Sequence, residues 1–336
     1  MKVVFFGTPD FAVSSLKKLI ETENVEVLAL ITQPDKAIGR KQIITPPATK
    51  LLAEAHNIKI LQPAKLSTDE ETIKFLENCG TDYLVTCAYG QILKQNILDI
   101  APVINVHASL LPDYRGPAPI NWMLINGDTQ VGVSTMLTDA GVDTGDVLLK
   151  AEITIDANTK ADELTEKLSE LGAELLIKTL TEFKDIKPEK QSPNSNPEKA
   201  LAPFMDKRLG EISFTKENLE LGSANPRQAD FKIVKKNSAK NIHDLIRGSY
   251  PWPGAYFIRD GQKIIITDSE TAVIASETKQ SPGQISAINK EEGSFSIQTQ
   301  DGELVLKRLK AQGKSELQSI SWLNGSRLNL GDFVEN

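Results

Sequence analysis

Short apolar runs alternate with stretches of helical period along the first half of the chain. The run through residues 2–6 ends at Gly7-Thr8-Pro9-Asp10, and Phe11, Leu16, Leu19 and Ile20 then recur at helical spacing. Val25–Ile31 reads as a second buried strand, and residues 32–45 as a long polar loop. A helix over 47–56, a strand over 58–61, a helix over 68–78 and a strand over 83–88 follow. This alternation predicts an α/β unit, a parallel sheet with helices on both faces. The run Pro102–Val106 is a further strand, and Asn105 and His107 lie at its carboxyl end, where such sheets place reacting groups.

From about residue 130 the pattern shifts to strands over 131–137 and 147–155 and a long helix over 162–183. Residues 184–199, rich in Pro, Lys, Asn and Ser, read as a linker. Beyond Leu201 the apolar runs are short: 254–258, 263–267, 295–299 and 304–309, with Asp260-Gly261 and Asp301-Gly302 as turns and one helix over 239–247. A smaller β-barrel is expected there, an open Greek-key barrel first of all. The resulting division is a catalytic domain over 1–184, a linker over 185–204 and a second domain over 205–336.

Composition narrows the picture. The chain has 336 residues, long for one core, with 40% hydrophobic and 25% charged residues, which is ordinary for a globular protein. Net charge is −7, unevenly distributed: 20 Lys and Arg face 28 Asp and Glu up to residue 200, against 18 and 17 beyond it. That balance argues against non-specific coating of nucleic acid and leaves room for a basic face on the second half. Cys79 and Cys87 are too few for a zinc site or disulfide framework; they are expected as core residues, and no metal is expected. The amino-terminal residues resemble neither a signal nor a transit peptide, and no apolar stretch approaches the ~20 residues of a membrane helix. A cytoplasmic protein with no membrane partner is the expectation.

The richest chemistry lies in Asn105-Val106-His107-Ala108-Ser109-Leu110-Leu111-Pro112 and in Gly141-Val142-Asp143-Thr144-Gly145-Asp146. On an extended segment Asn105 and His107 point to the same side. An amide, an imidazole and a carboxylate can polarise a carbonyl, stabilise an oxyanion and move a proton. No G-x-S-x-G elbow offers a covalent nucleophile, so direct transfer of a carbonyl group between two bound molecules is the reaction suggested. Asp143 competes with Asp139 and Asp146 for the carboxylate role, and a turn aspartate bonding its own backbone explains it equally well. His56 reads as a solvated helix end and His243 as a helix-surface residue. Pro9 breaks any G-x-G-x-x-G fingerprint and no Walker motif occurs. Within residues 33–42, Lys36, Arg40 and Lys41 stand against one acid, Asp35; the cluster is either solvated or grips phosphates beyond a strand end. Lys232 to Lys240 has the same two readings.

Taken together these blocks resemble the methionyl-tRNA formyltransferase family of folate-dependent formyltransferases. The matching residues are Phe6-Gly7-Thr8-Pro9-Asp10-Phe11-Ala12, Thr32-Gln33-Pro34-Asp35-Lys36 with Gly39-Arg40, Ala88-Tyr89-Gly90, Ile104 to Pro112, Tyr114-Arg115-Gly116, Ala118-Pro119-Ile120 and Gly141 to Asp146. Ile246-Arg247-Gly248 with Pro251-Trp252-Pro253-Gly254-Ala255 extends the match into the second half. The resemblance implies a Rossmann-like formyltransferase fold followed by an OB-like tRNA-binding domain. It implies formyl transfer from 10-formyltetrahydrofolate to the α-amine of methionine on initiator tRNA, by a monomer that needs no metal. It makes Asn105, His107 and Asp143 the catalytic trio and puts the folate against Ser109, Leu110, Leu111 and Pro112. Lys36, Arg40 and Lys41 become tRNA contacts.

Other readings compete. The same trio could formylate a small-molecule amine or hydrolyse the folate; the β-rich second half argues against the purine-precursor enzyme, which needs no such extension. An RNA-binding protein that has lost catalysis has no need of all three residues. The chain also departs from the family. About twenty extra residues, roughly Lys216 to Lys236, separate Ile212-Ser213-Phe214 from Ser238-Ala239 and are expected as a surface loop. Phe204 stands where a basic residue is usual after the linker, with Lys207 and Arg208 as substitutes.

Overall fold

A computed structural model of the chain describes residues 1–39, 41–222, 232–272 and 280–335. These fold into two compact units. One comprises Met1–Pro119, Gln130–Thr154 and Thr165–Leu201; the other comprises Ile120–Thr129, Ile155–Leu164 and Ala202–Asn336. The second unit therefore takes in two stretches, 120–129 and 155–164, that a single cut in the linker leaves with the first.

The chain runs through β1 (Lys2–Gly7), α1 (Phe11–Glu21), β2 (Glu26–Ile31), β3 (Lys36–Ile38), β4 (Ile43–Thr45), α2 (Ala48–Ala55), β5 (Lys59–Leu61), α3 (Glu70–Asn78), β6 (Tyr83–Cys87), α4 (Gln95–Leu98) and β7 (Val103–His107). It continues through α5 (Pro119–Ile125), β8 (Gln130–Leu137), β9 (Val147–Thr154) and α6 (Ala161–Glu182). The main sheet of the first unit has the order β5-β2-β1-β6-β7-β8-β9. Its strands from β5 to β7 are parallel, with Val3, Val4, Phe5, Phe6, Leu84, Val85 and Ile104 fully buried. Such a strand buried on both faces reads as a continuous apolar run rather than an alternating one.

Two expectations change here. The sheet is mixed rather than wholly parallel, because β8 pairs antiparallel with both β7 and β9. Only residues 138–146 join β8 to β9, fewer than the dozen or so a parallel crossover needs. The loop expected over 32–45 carries an antiparallel hairpin, β3 with β4, turned at Gly39 (φ 72°) and Gln42 (φ 50°). The helices α4 and α5 carry no helical signal in the sequence; each spans about two turns or fewer, too short for a periodic pattern to register.

The second unit adds β10 (Asn218–Gly222), β11 (Lys232–Lys236), α8 (Ala239–Ser249), β12 (Ala255–Arg259), β13 (Gln262–Ala272), β14 (Ile285–Asn289), β15 (Ser294–Gln298), β16 (Glu303–Ala311), β17 (Leu317–Gln318) and α9 (Ser319–Ser326); a single turn, α7 (Pro197–Ala200), precedes them. Its antiparallel sheet has the order β12-β13-β16-β15-β14, with β17 on β16. Three successive strands thus place the last, β16, beside β13, which is the Greek-key order. The segment 216–236, expected as a surface loop, instead pairs β10 with β11, and burial of Leu219, Leu221 and Ile233 accounts for it. Residues 223–231 of that segment lie outside the described residues.

His243 is another correction. It is only 6% exposed, with Nδ1 at 2.9 Å from Ser269 Oγ and Nε2 at 3.2 Å from the carbonyl of Ala157. Burial holds its pKa below the usual histidine value, against the Ala157 hydrogen bond. One turn on, Arg247 and Asp244 form an ion pair (Nε–Oδ1 2.8 Å) with side chains 2% and 4% exposed, and Lys240 also donates to Asp244. Removing one partner of such a pair leaves a buried charge uncompensated. Asp244→Ala is therefore expected to cost about 3–5 kcal/mol of stability. Denaturant titration checks this, and a loss below about 1 kcal/mol would show that solvent or the Thr159 carbonyl compensates the guanidinium.

Candidate active site

Two polar loops of the first unit, residues 108–116 and 138–146, meet at the carboxyl end of β7. Parallel pairing sets Thr86 of β6 opposite Asn105 of β7. The Thr86 hydroxyl donates to Asn105 Oδ1 at 2.8 Å, which turns the amide so that Nδ2 is the group left to donate. Two residues on, His107 closes the strand on the same side, 6% exposed. Its Nε2 lies 3.0 Å from the carbonyl of Tyr114. A carbonyl only accepts, so Nε2 carries the hydrogen. Its Nδ1 faces Asp143 Oδ2 at 3.7 Å, an ion-pair distance rather than a hydrogen bond.

The turn after β7 holds the imidazole's partners in place. Ser109 is fully buried, its N–H donating to the carbonyl of His107 and its hydroxyl to that of Asp113. Leu111 is also fully buried, and its N–H reaches Ser134 Oγ, which itself donates to the carbonyl of Ser109. Leu110 and Pro112 are half-buried and are the members of this quartet that present surface. Tyr114 has φ 59°, a left-handed backbone that L side chains rarely adopt, and this aims its carbonyl at His107.

Asp143 adopts the same left-handed region, φ 52°. Its Oδ2 accepts from the N–H of Gly116 at 2.9 Å, in addition to facing His107. The rival aspartates are placed differently. Asp139 Oδ1 accepts from the N–H of Gly141 (3.0 Å) and the hydroxyl of Thr144 (2.7 Å), closing the loop on itself. Asp146 gives its carbonyl to the N–H of Leu137 at the end of β8. Asp143 is thus the aspartate of the three that the fold brings to His107. Ala88, φ 48°, adds a third left-handed residue at these strand ends.

The cationic loop is anchored at its base. Lys50 donates to both oxygens of Asp35 at 2.9 Å, and Gln62 donates to Oδ1 at 2.8 Å. The Gln62 and Lys50 hydrogen bonds hold the Asp35 carboxyl below the usual carboxylate range. Past this anchor the hairpin is exposed, including Lys36 and Lys41, with Ile38, Ile43 and Ile44 each 58–65% exposed. Arg40 lies outside the described residues. In the second unit Phe204, Lys207 and Arg208 are all exposed. Cys87 is buried and burial pushes its thiol up to about 12, so it is not a nucleophile here. Among the described residues, no group of three or more His, Cys, Asp or Glu is arranged to hold a metal ion, and no helix is long and apolar enough to cross a membrane.

Several site residues have no motif to announce them. Thr86 carries a weak signal, a hydroxyl inside an otherwise apolar strand. Gln191, in the linker, carries none, yet it bonds the Asp143 loop directly.

Comparison with known proteins bears on this geometry. Residues 1–180 match the formyl transferase family and residues 226–327 the formyl transferase C-terminal domain. The chain is 41% identical over 339 residues to the methionyl-tRNA formyltransferase of Clostridium tetani, with 100% of both chains covered. It is 38% identical over 337 residues to that of Acetivibrio thermocellus, with 99% of both covered. A similar solved structure is that of WlaRD, a sugar 3N-formyl transferase (TM-score 0.61, 20% identity, 94% of this chain and 99% of that one). HypX from Aquifex aeolicus in complex with tetrahydrofolic acid gives a TM-score of 0.59 at 16% identity, covering 98% of this chain and 48% of that one. At these identities the solved structures speak for the fold alone.

Proposed function

Since the chain belongs to the methionyl-tRNA formyltransferase family of formyl-transferring enzymes, we propose that it moves the formyl group of 10-formyltetrahydrofolate directly onto the α-amine of methionyl initiator tRNA. The observation that supports the mechanism is Asp143 Oδ2 at 3.7 Å from His107 Nδ1, with Asn105 two residues before His107 on the same strand and oriented by Thr86. The folate supplies the electrophile, a formyl carbon on N10, and the tRNA supplies the amine.

Attack by the amine lone pair forms the N–C bond and places charge on the former carbonyl oxygen. The bond from that carbon to N10 then breaks, and the proton lost by the amine ends on N10. Asn105 donates from Nδ2 to the developing oxyanion, its orientation set by Thr86. His107 adds positive potential beside it. Asp143 stabilises the imidazolium when it forms and assists proton transfer from the amine. An α-amine ordinarily titrates near pH ~8, so a usable fraction is free base at neutral pH. Leu110 and Pro112 offer the folate an apolar edge, while Ser109 and Leu111 act from inside by shaping the turn that carries Tyr114. Lys36 and Lys41, on a hairpin whose base Asp35 fixes, supply the tRNA backbone with cations, and Arg40 adds a third. The reading includes a cytoplasmic monomer.

The test is formyl transfer from 10-formyltetrahydrofolate to charged initiator tRNA, run beside charged elongator methionine tRNA. Formylation of the initiator in strong preference is the expected result. Consumption of the folate with no formylated tRNA would replace this reading by hydrolysis or by transfer to a small amine.

A further inference from the structure

The segment between the two halves of the chain does more than join them. Glu189 exchanges both backbone hydrogen bonds with Val147 at the start of β9 (2.8 and 2.9 Å). Asn194 Nδ2 donates to Asp113 Oδ1 at 2.6 Å and to the carbonyl of Pro112 at 3.4 Å. The carbonyl of Lys199 accepts from the N–H of Tyr114 at 2.5 Å. Residues 189–199 thus lie across both loops that carry the partners of His107.

Gln191 is the point where these two loops are tied together. Its Nε2 donates to the carbonyls of Asp143 (2.9 Å) and Gly145 (2.7 Å). Its Oε1 accepts from Nε of Arg115 at 2.8 Å. The amide can take only this orientation, because carbonyls only accept and a guanidinium only donates. Arg115 precedes Gly116, whose N–H holds the Asp143 carboxylate. Asp143 is therefore gripped twice: by its carboxylate from the 114–116 turn, and by its own carbonyl from Gln191. The second grip holds a left-handed residue whose chain neighbours face solvent, Val142 58% exposed and Thr144 exposed.

We infer that Gln191 is a positioning residue for the transfer reaction, holding the 143–145 backbone so that the Asp143 carboxylate stays beside His107. This rests on the reading that the Asp143–His107 pair acts on the formyl group. Gln191 does not touch the reacting atoms; its effect passes through Asp143. Misplacing a catalytic group by about 1 Å costs on the order of a hundredfold in rate. Losing the clamp should appear in kcat, because its bonds go to the backbone of Asp143 and Gly145 and to Arg115.

Single-turnover and steady-state formylation by Gln191→Ala and by Gln191→Glu test this. Gln191→Glu keeps length and the acceptor for Arg115 but cannot donate to two carbonyls, so it separates lost donation from lost packing. Both are expected to lower kcat about 10- to 100-fold. KM for folate and for tRNA should stay within about twofold, because only an interaction made in the transition state is lost. In an Asp143→Ala background, Gln191→Glu should cause no further loss, because a residue acting through Asp143 has nothing left to position. Wild-type kcat in both Gln191 variants, a loss confined to KM, or a full further loss in the Asp143→Ala background would overturn the inference. Asp143→Ala measured alone separates the failures. If it retains wild-type kcat, the mechanism itself falls and the role of Gln191 with it; if its kcat falls while both Gln191 variants keep wild-type kcat, only the inference about Gln191 falls.

Discussion

His107→Ala should lower kcat for formyl transfer by about a thousandfold, roughly 4 kcal/mol of transition-state stabilisation. The size follows from where the ring sits. It is 6% exposed, so charge developing beside it sits in a medium that screens poorly, and the Tyr114 carbonyl fixes Nε2 while Nδ1 faces Asp143. Removing one preorganised group that stabilises an oxyanion costs about 10²–10³ in other enzymes, and here Asp143 also loses the ring it faces. Affinity for charged initiator tRNA should stay within about twofold, because the cationic hairpin is a separate element anchored at Asp35, Lys50 and Gln62. Single-turnover rates set beside tRNA binding at fixed salt check both halves. A fully active variant would remove His107 from the mechanism, whatever its position. Asn105→Ala provides a smaller companion measurement, with the loss expected in kcat alone.

Gly145→Ala should cost about a hundredfold in kcat together with a fall in thermal midpoint. The backbone here leaves no room for a methyl group. A Cβ at Gly145 would lie 1.8 Å from the carbonyl oxygen of Leu137 and 2.9 Å from its carbon. Those atoms belong to the end of β8, where Leu137 also takes the carbonyl of Asp146 at 2.9 Å. Loop and strand must therefore part, carrying Asp143 away from His107 and the Gly145 carbonyl away from Gln191. Gly141→Ala is the control on the same loop. Its added Cβ meets the Thr144 hydroxyl at 2.0 Å, a side-chain atom that can rotate away, so a milder loss is expected. Equal effects from the two substitutions would show that the loop is soft and that the clash at Leu137 does not decide its position.

Much of this architecture is legible in the residue pattern. The strands β1, β2, β5, β6 and β7, the helices α1, α2, α3 and α6, and the turns Asp260-Gly261 and Asp301-Gly302 all form where local pattern places them, to within a residue or two. Periodicity and turn chemistry are local properties, so a local reading recovers them. Asn105 and His107 share a side for the same reason, being two apart on one strand. The hairpin inside 32–45 and the pairing of 218–222 with 232–236 are not legible, because strands of three to five residues look like loops until a partner strand is found. His243 misleads for a related reason: its burial depends on Ser269 and on Ala157, 26 and 86 residues away.

The sequence by itself determined the kinds of element, their order and a short roster of polar residues at the ends of β6 and β7. It also carried the blocks by which the family is recognised. Spacing left Asp139, Asp143 and Asp146 open and only the family blocks pointed to Asp143; the tertiary structure stands it beside His107, because all three lie in one glycine-rich loop whose path is set by β8, the Gly116 N–H and Gln191. It likewise turned the edge of the sheet antiparallel, oriented the Asn105 amide through Thr86, and made part of the linker a support for the site. The physical reason is the same in each case. These outcomes depend on contacts between residues 19 to 48 positions apart or more, and a hydrogen bond across that span leaves no trace in local periodicity.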